Sequence, residues 1–152
     1  MIFLSLQPLA VAGVLPGLAS SRGRRAHRWI GALLVGAIVV HVAGLWVTSP
    51  PDVIDALLFR SPTSFSAWGV IAMWALFAAA ILAVFRRKLA LRTWRRAHTA
   101  LAAVVVAGSV IHALLILGTM ETVSKVALCL LASIATVYAI IARRSWRFRK
   151  EP

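Results

Sequence analysis

All four histidines of the 152-residue chain fall into one frame: His27 and His41, then His98 and His112, each pair fourteen residues apart. The first member of each pair closes the same tetrapeptide, Arg24-Arg25-Ala26-His27 and Arg95-Arg96-Ala97-His98. Fourteen residues of α-helix turn through about 1400°, roughly 40° short of four whole turns, and rise about 21 Å. The two histidines of a pair therefore lie on nearly the same face at two depths. If the two helices run in the same direction, His27 faces His98 at one level and His41 faces His112 at another. Two imidazoles opposed across a gap are the axial ligand set of a low-spin haem, so the spacing describes two stacked bis-histidine sites. No C-x-x-C-H motif occurs; covalent c-type attachment is excluded, and two b-type haems are the expected cofactors. Arginine suits anionic propionates, and Arg24, Arg25, Arg95 and Arg96 flank His27 and His98. A zinc or iron site of another kind fits worse. The histidines of one helix are too far apart to share an ion, and no carboxylate or thiolate is near them in sequence.

The elements that must carry these residues follow from composition. The chain is 61% hydrophobic and 14% charged, against about a quarter charged in soluble domains. Its apolar residues come in blocks of the roughly twenty needed to cross a hydrocarbon core of about 30 Å. The blocks predict transmembrane helices near residues 2–20, 29–48, 66–85, 99–118 and 123–142. The expected fold is an all-α polytopic membrane bundle of about five helices, one domain over residues 1–152. A net charge of +13 raises the question of nucleic acid, but fifteen of the seventeen basic residues sit at helix ends in alternate links, at 21–28, 86–97 and 143–150. This is the positive-inside pattern. It predicts an outer N-terminus, a cytoplasmic C-terminus and lipid as the partner of the charge; an inner (cell) membrane of bacterial type is the expected location. The start lacks the basic region and cleavage site of a secretory signal, so residues 2–20, interrupted by Pro8 and Pro16, read as a mature kinked helix.

The remaining residues read mostly as structure. Trp29 and Trp46, seventeen residues or about 26 Å apart, suit the two membrane interfaces. Within the loop at 49–65, Val53 to Phe59 suits a short helix lying on the membrane surface or covering a site. Gly31, Gly44 and Gly108, each within four residues of a histidine, would make room for a macrocycle. Met73 and Met120 read as packing in preference to axial ligands, Trp68, Trp74 and Phe77 as bulk, Cys129 as packing, and Glu121 with Lys125 as a surface ion pair.

The stretches RRAHRWIGALLVGAIVVHVAGLW and WRRAHTALAAVVVAGSVIHALLI resemble the ferric reductase-like transmembrane domain. That family includes membrane ferric reductases, the NADPH oxidase core and the haem-binding membrane subunit of the bacterial methionine sulfoxide reductase system. The resemblance runs over roughly residues 20–145. It implies an inner haem b on His27 and His98, an outer one on His41 and His112, and electron flow from the cytoplasmic side to an outer acceptor such as ferric iron, dioxygen or a periplasmic redox protein. In the family the ligands lie on the third and fifth of six helices; here they lie on the second and fourth. Many members continue into a flavin and nicotinamide domain, and no Gly-rich dinucleotide fingerprint occurs in this sequence. The expected electron donor is a separate flavoprotein, a quinol, or a flavin bound at the basic inner face. The resulting expectation is a dihaem b-type cytochrome, a ferric reductase-like oxidoreductase component without its own flavin or nicotinamide domain. Two other readings use the same residues: a haem-containing anchor subunit of a redox complex, and a non-redox membrane protein whose histidines serve proton transfer or helix packing.

Overall fold

In the computed structural model the described residues are 2–12, 21–118 and 121–148, with side chains described over 2–10, 21–118 and 121–142. They form α1 (Ile2–Ala12), α2 (Ser21–Thr48), α3 (Pro50–Leu57), α4 (Ser64–Val84), α5 (Leu91–Leu115) and α6 (Thr122–Phe148). A 3-10 turn at Phe85–Lys88 follows α4, and there is no strand among the described residues. Four helical stretches are long and apolar enough to cross a membrane: Ser21–Thr48, Ser64–Lys88, Leu91–Leu115 and Thr122–Ala142. The chain is an all-α integral membrane protein. Of the span expected at 2–20, α1 accounts for the first part with Pro8 inside it; Pro16 and the rest lie outside the described residues.

Two helices start earlier than the apolar pattern predicts, α2 at Ser21 where 29 is expected and α5 at Leu91 where 99 is expected. The edge of an apolar block marks where side chains leave hydrocarbon, not where the backbone stops being helical. Arginine is a good helix former, and its long stem lets the guanidinium reach the interface from inside a helix. Both RRAH tetrapeptides are therefore helical throughout, and His27 and His98 sit on rigid elements. The short helix expected at Val53–Phe59 is α3, shifted toward the N-terminus because Pro50 and Pro51 occupy its first positions, where the missing N–H costs nothing. Asp52 in its first turn accepts from the Ser49 hydroxyl at 2.5 Å, and α3 packs against α2 and α4.

The long helices form a ring. α1 packs against α2 and α6, α6 against α5, and α5 along α4, while α4 returns to α2 directly and through α3. α2 and α5 are thus set across the bundle from each other. In lipid, helices gain little from burying one another's apolar surface and rely on close backbone approach through small residues. The buried residues follow that rule: Ala72, Ala75 and Ala79 on α4, Gly108 on α5, and Cys129, Ala132, Ala135 and Ala139 on α6. Leu4, Leu76 and Val105 complete the core, with Leu34, Val35 and Ile38 of α2 packed on its edge. Met73 and Cys129 are buried in this packing, as expected of them. Trp29 and Trp46 are both exposed toward the ends of α2.

Candidate functional site

At the basic end, His27 of α2 and His98 of α5 meet with ring centroids 6.0 Å apart and planes at 75°. Two imidazoles bound to opposite sides of one metal, each at a metal–nitrogen distance of about 2 Å, have ring centres roughly 6 Å apart. The centroid separation is compatible with a bis-histidine pair. Each ring is steadied from outside the pair. Nδ1 of His27 lies 3.2 Å from the backbone carbonyl oxygen of Gln7 on α1. His98 stacks on Trp94, one turn earlier on α5, at 5.3 Å and 11°, and the Arg86 guanidinium lies 5.0 Å from the Trp94 ring centre. Trp94 Nε1 is buried with no hydrogen-bond partner among the described residues, so stacking is what holds the indole.

At the other end, His112 donates from Nδ1 to the backbone carbonyl of Phe65 at 2.7 Å when that nitrogen carries the proton. Its ring lies edge-on to Phe65 at 5.8 Å. A Cβ on Gly69 would stand 2.7 Å from Nδ1 and 2.8 Å from Cε1 of His112, so α4 leaves room for the imidazole only because residue 69 is glycine. Metal-binding histidines commonly donate the other ring N–H to a carbonyl, which leaves Nε2 with its lone pair. His41 is exposed, and no ring contact joins it to His112 among the described residues. Around α2, His41 lies about 40° to one side of His27, whereas Gly31, Ile38 and Val42, all partly covered, lie about 20–60° to the other.

The other candidates are placed as follows. Arg24, Arg25, Arg95 and Arg96 are all exposed. Arg24 and Arg95 stand about 60° around their helices from the adjacent histidine, and Arg25 and Arg96 about 160°. Arg25 lines an open depression with Arg28, Trp29 and Ala32. The glycines divide. A Cβ added at Gly108 would stand 3.0 Å from the Trp68 carbonyl oxygen and 3.1 Å from Ala72 Cβ, one at Gly31 would stand 3.0 Å from the Gln7 side-chain amide, and one at Gly44 would meet nothing within 4 Å among the described residues. Gly31 and Gly108 thus stand where neighbouring helices approach closely. Trp74 packs edge-on with Phe77 at 5.9 Å, and both Trp68 and Trp74 are exposed. In place of the expected Glu121–Lys125 ion pair, each side chain bonds to other groups at the junction of α5 and α6. Lys125, buried, donates to the Ile116 carbonyl at 2.6 Å. Glu121 accepts from Ser124 N at 2.9 Å, Ser124 Oγ at 2.8 Å and Val123 N at 3.0 Å, because the start of α6 and the end of α5 each present unsatisfied backbone groups. Met120 lies outside the described residues.

Gln7, Trp94, Phe65 and Gly69 are the residues that sequence reasoning passed over. Trp94 alone carries a legible signal, four residues before His98 on a helix. The other three act from neighbouring helices. Among the described residues no cluster of three or more His, Cys, Asp or Glu side chains could hold a metal ion, and a two-histidine haem site requires none.

No curated protein and no solved structure matches the chain. A family match covers residues 1–109, and so takes in α1, which the resemblance in sequence does not reach, as well as His27, His41 and His98. It ends before His112 and α6. With more than two thirds of its length matched, the chain belongs to the family of ferric reductase like transmembrane components.

Proposed function

We propose that this membrane redox component is a b-type dihaem cytochrome that relays electrons across the bilayer. The observation that carries the reading is the opposition of His27 and His98 at 6.0 Å from two helices on opposite sides of the ring. His27 and His98 would hold the inner haem, and His41 and His112 the outer one. Haem supplies a one-electron couple at each level, and the protein supplies binding, orientation and electrostatics. Gln7 and Trp94 orient the inner ligands, and Phe65 and Gly69 orient His112 so that Nε2 is the free nitrogen. Arg24 and Arg95, nearer the ligand faces, suit inner propionates; Arg25 and Arg96 suit anionic headgroups or an acidic donor. The charge pattern favours a cytoplasmic position for this basic end. A flavoprotein, a quinol or a bound flavin would then deliver electrons there, and the acceptor would lie outside. A one-haem form is the second reading, supported by the exposure of His41.

The test is the visible spectrum of the purified protein expressed with ample haem. A Soret band, sharp α and β bands on dithionite reduction and two haems per chain are expected. Protein without haem overturns the reading, and one haem per chain that survives His41→Ala establishes the second.

A further inference from the structure

The contacts of Gln7 on His27 go beyond simple packing. Gln7 and Ser5 are the only polar side chains of α1. The amide of Gln7 is set against the stretch of α2 that carries His27, beside Gly31, where a Cβ would stand 3.0 Å from Nε2. In one amide orientation, Nε2 donates to the His27 carbonyl at 3.2 Å and to His27 Nδ1, while Oε1 accepts the Gly31 N–H at 2.7 Å. In the other, Oε1 faces Nδ1 but also the His27 carbonyl oxygen, and Nε2 meets the Gly31 N–H donor to donor, so ligation through His27 Nε2 has to select the less satisfied orientation. The Gln7 backbone carbonyl lies 3.2 Å from the same nitrogen.

A neutral imidazole nitrogen either carries a proton and donates or holds a lone pair and accepts. The amide orientation with Nε2 on Nδ1 places the ring proton on the His27 Nε2 and removes it as a ligand. The carbonyl, with Oε1 turned to it, places the proton on Nδ1 and leaves the His27 Nε2 free. We infer that Gln7 is a positioning residue that sets the tautomer of His27 and, through the acceptor strength offered to Nδ1, the electron density this ligand gives the inner haem. The inference rests on the dihaem reading. Among the described residues nothing comparable touches His41, which is exposed, so the effect is confined to one of the two haems.

A stronger acceptor on the N–H of a metal-bound histidine raises its basicity and stabilises the ferric state. The experiment is a spectroelectrochemical titration of the full-length protein in detergent or nanodiscs, with haem counted per chain. Gln7→Glu in its ionised form can only accept, and at a pH that keeps it ionised is expected to keep both haems and move one wave to lower potential by tenfold or more in the reduction equilibrium, about 59 mV for one electron. Gln7→Met keeps volume and backbone carbonyl but loses Oε1, and moves the same wave to higher potential. The wave that moves is the one that survives in His41→Ala. Low-spin g values that shift toward stronger imidazolate character in Gln7→Glu alone give a second readout. An inner wave that stays put in Gln7→Glu, both waves moving together, or both variants shifting in the same direction overturns the tautomer role while leaving the dihaem reading intact. Wild-type protein without haem overturns both. If Gln7→Glu does not accumulate in the membrane, Gln7→Met decides alone, and a wave unchanged from wild type overturns the role.

Discussion

His27 and His112 are both tied through Nδ1 to a backbone carbonyl of another helix, Gln7 at 3.2 Å and Phe65 at 2.7 Å, yet their intended counterparts fare differently. His98 lies under Trp94 with its ring centre 6.0 Å from that of His27. His41 is exposed and, among the described residues, meets no ring. The two helices carry the same fourteen-residue spacing, so spacing does not explain the difference. Fourteen residues are two heptads, and a straight α-helix drifts about 20° per heptad from a 3.5-residue repeat. On α2 the drift carries His41 away from the face that holds Gly31, Ile38 and Val42. On α5 the same drift brings His112 against α4, where the Phe65 carbonyl and the gap at Gly69 receive it. One helix pair can therefore hold one level tightly and the other only in part, and the neighbouring helix decides which.

The contrast is open to experiment, beginning with the largest effect. His98→Ala is expected to empty the inner site and take electron transfer across proteoliposomes to background, while His41→Ala keeps the inner haem and loses the outer. Equal haem loss in both would erase the distinction between the ends. Gly69→Ala places a methyl group within 2.8 Å of the His112 ring and should displace it, at an overpacking cost of about 1–3 kcal/mol, with loss of the outer low-spin signal. Gly44→Ala, with nothing within 4 Å, is the matched control and should leave haem content and melting temperature unchanged. Trp94→Ala removes the ring stacked on His98, worth about 0.5–1.5 kcal/mol beyond buried area. It should broaden the inner haem's spectrum and leave the outer one alone, as seen by difference spectroscopy of the two waves.

The smallest effect lies at the start of α6. The Ser124 N–H, then its hydroxyl and the Val123 N–H, hold the Glu121 carboxyl below its ordinary value of 4.5. A carboxylate with a lowered folded-state pKa stabilises the fold above its unfolded pKa, and that contribution is lost as pH falls through the folded value. Glu121→Gln should therefore melt slightly below wild type at neutral pH, and the gap should close in acid. A gap that persists at low pH would mean that the carboxylate's charge is not what caps the helix.

Much of the architecture was legible in the sequence. Apolar blocks near twenty residues located four spans, because bilayer thickness leaves a helix little choice of length. The basic links were legible as helix ends but not as helix, since charge marks where hydrocarbon stops and does not interrupt the backbone ladder. The meeting of His27 and His98 was legible because they repeat one tetrapeptide at the same end of two helices. The Glu121–Lys125 pairing was misread for a local reason: spacing of four residues permits an ion pair, but nearby unsatisfied N–H and carbonyl groups claimed both side chains.

By itself, the sequence determined that this chain lives in a membrane, that its charge gathers at helix ends, and that four histidines lie on two helices at two depths. These properties depend on composition and on the fixed pitch of the α-helix. Tertiary structure decided which histidines meet and how each ring is held. The groups responsible are the Gln7 amide and carbonyl, the Phe65 carbonyl and the space at Gly69, which reach the histidines from α1 and α4. Their contacts arise only when separate helices pack, and no spacing within one helix encodes them.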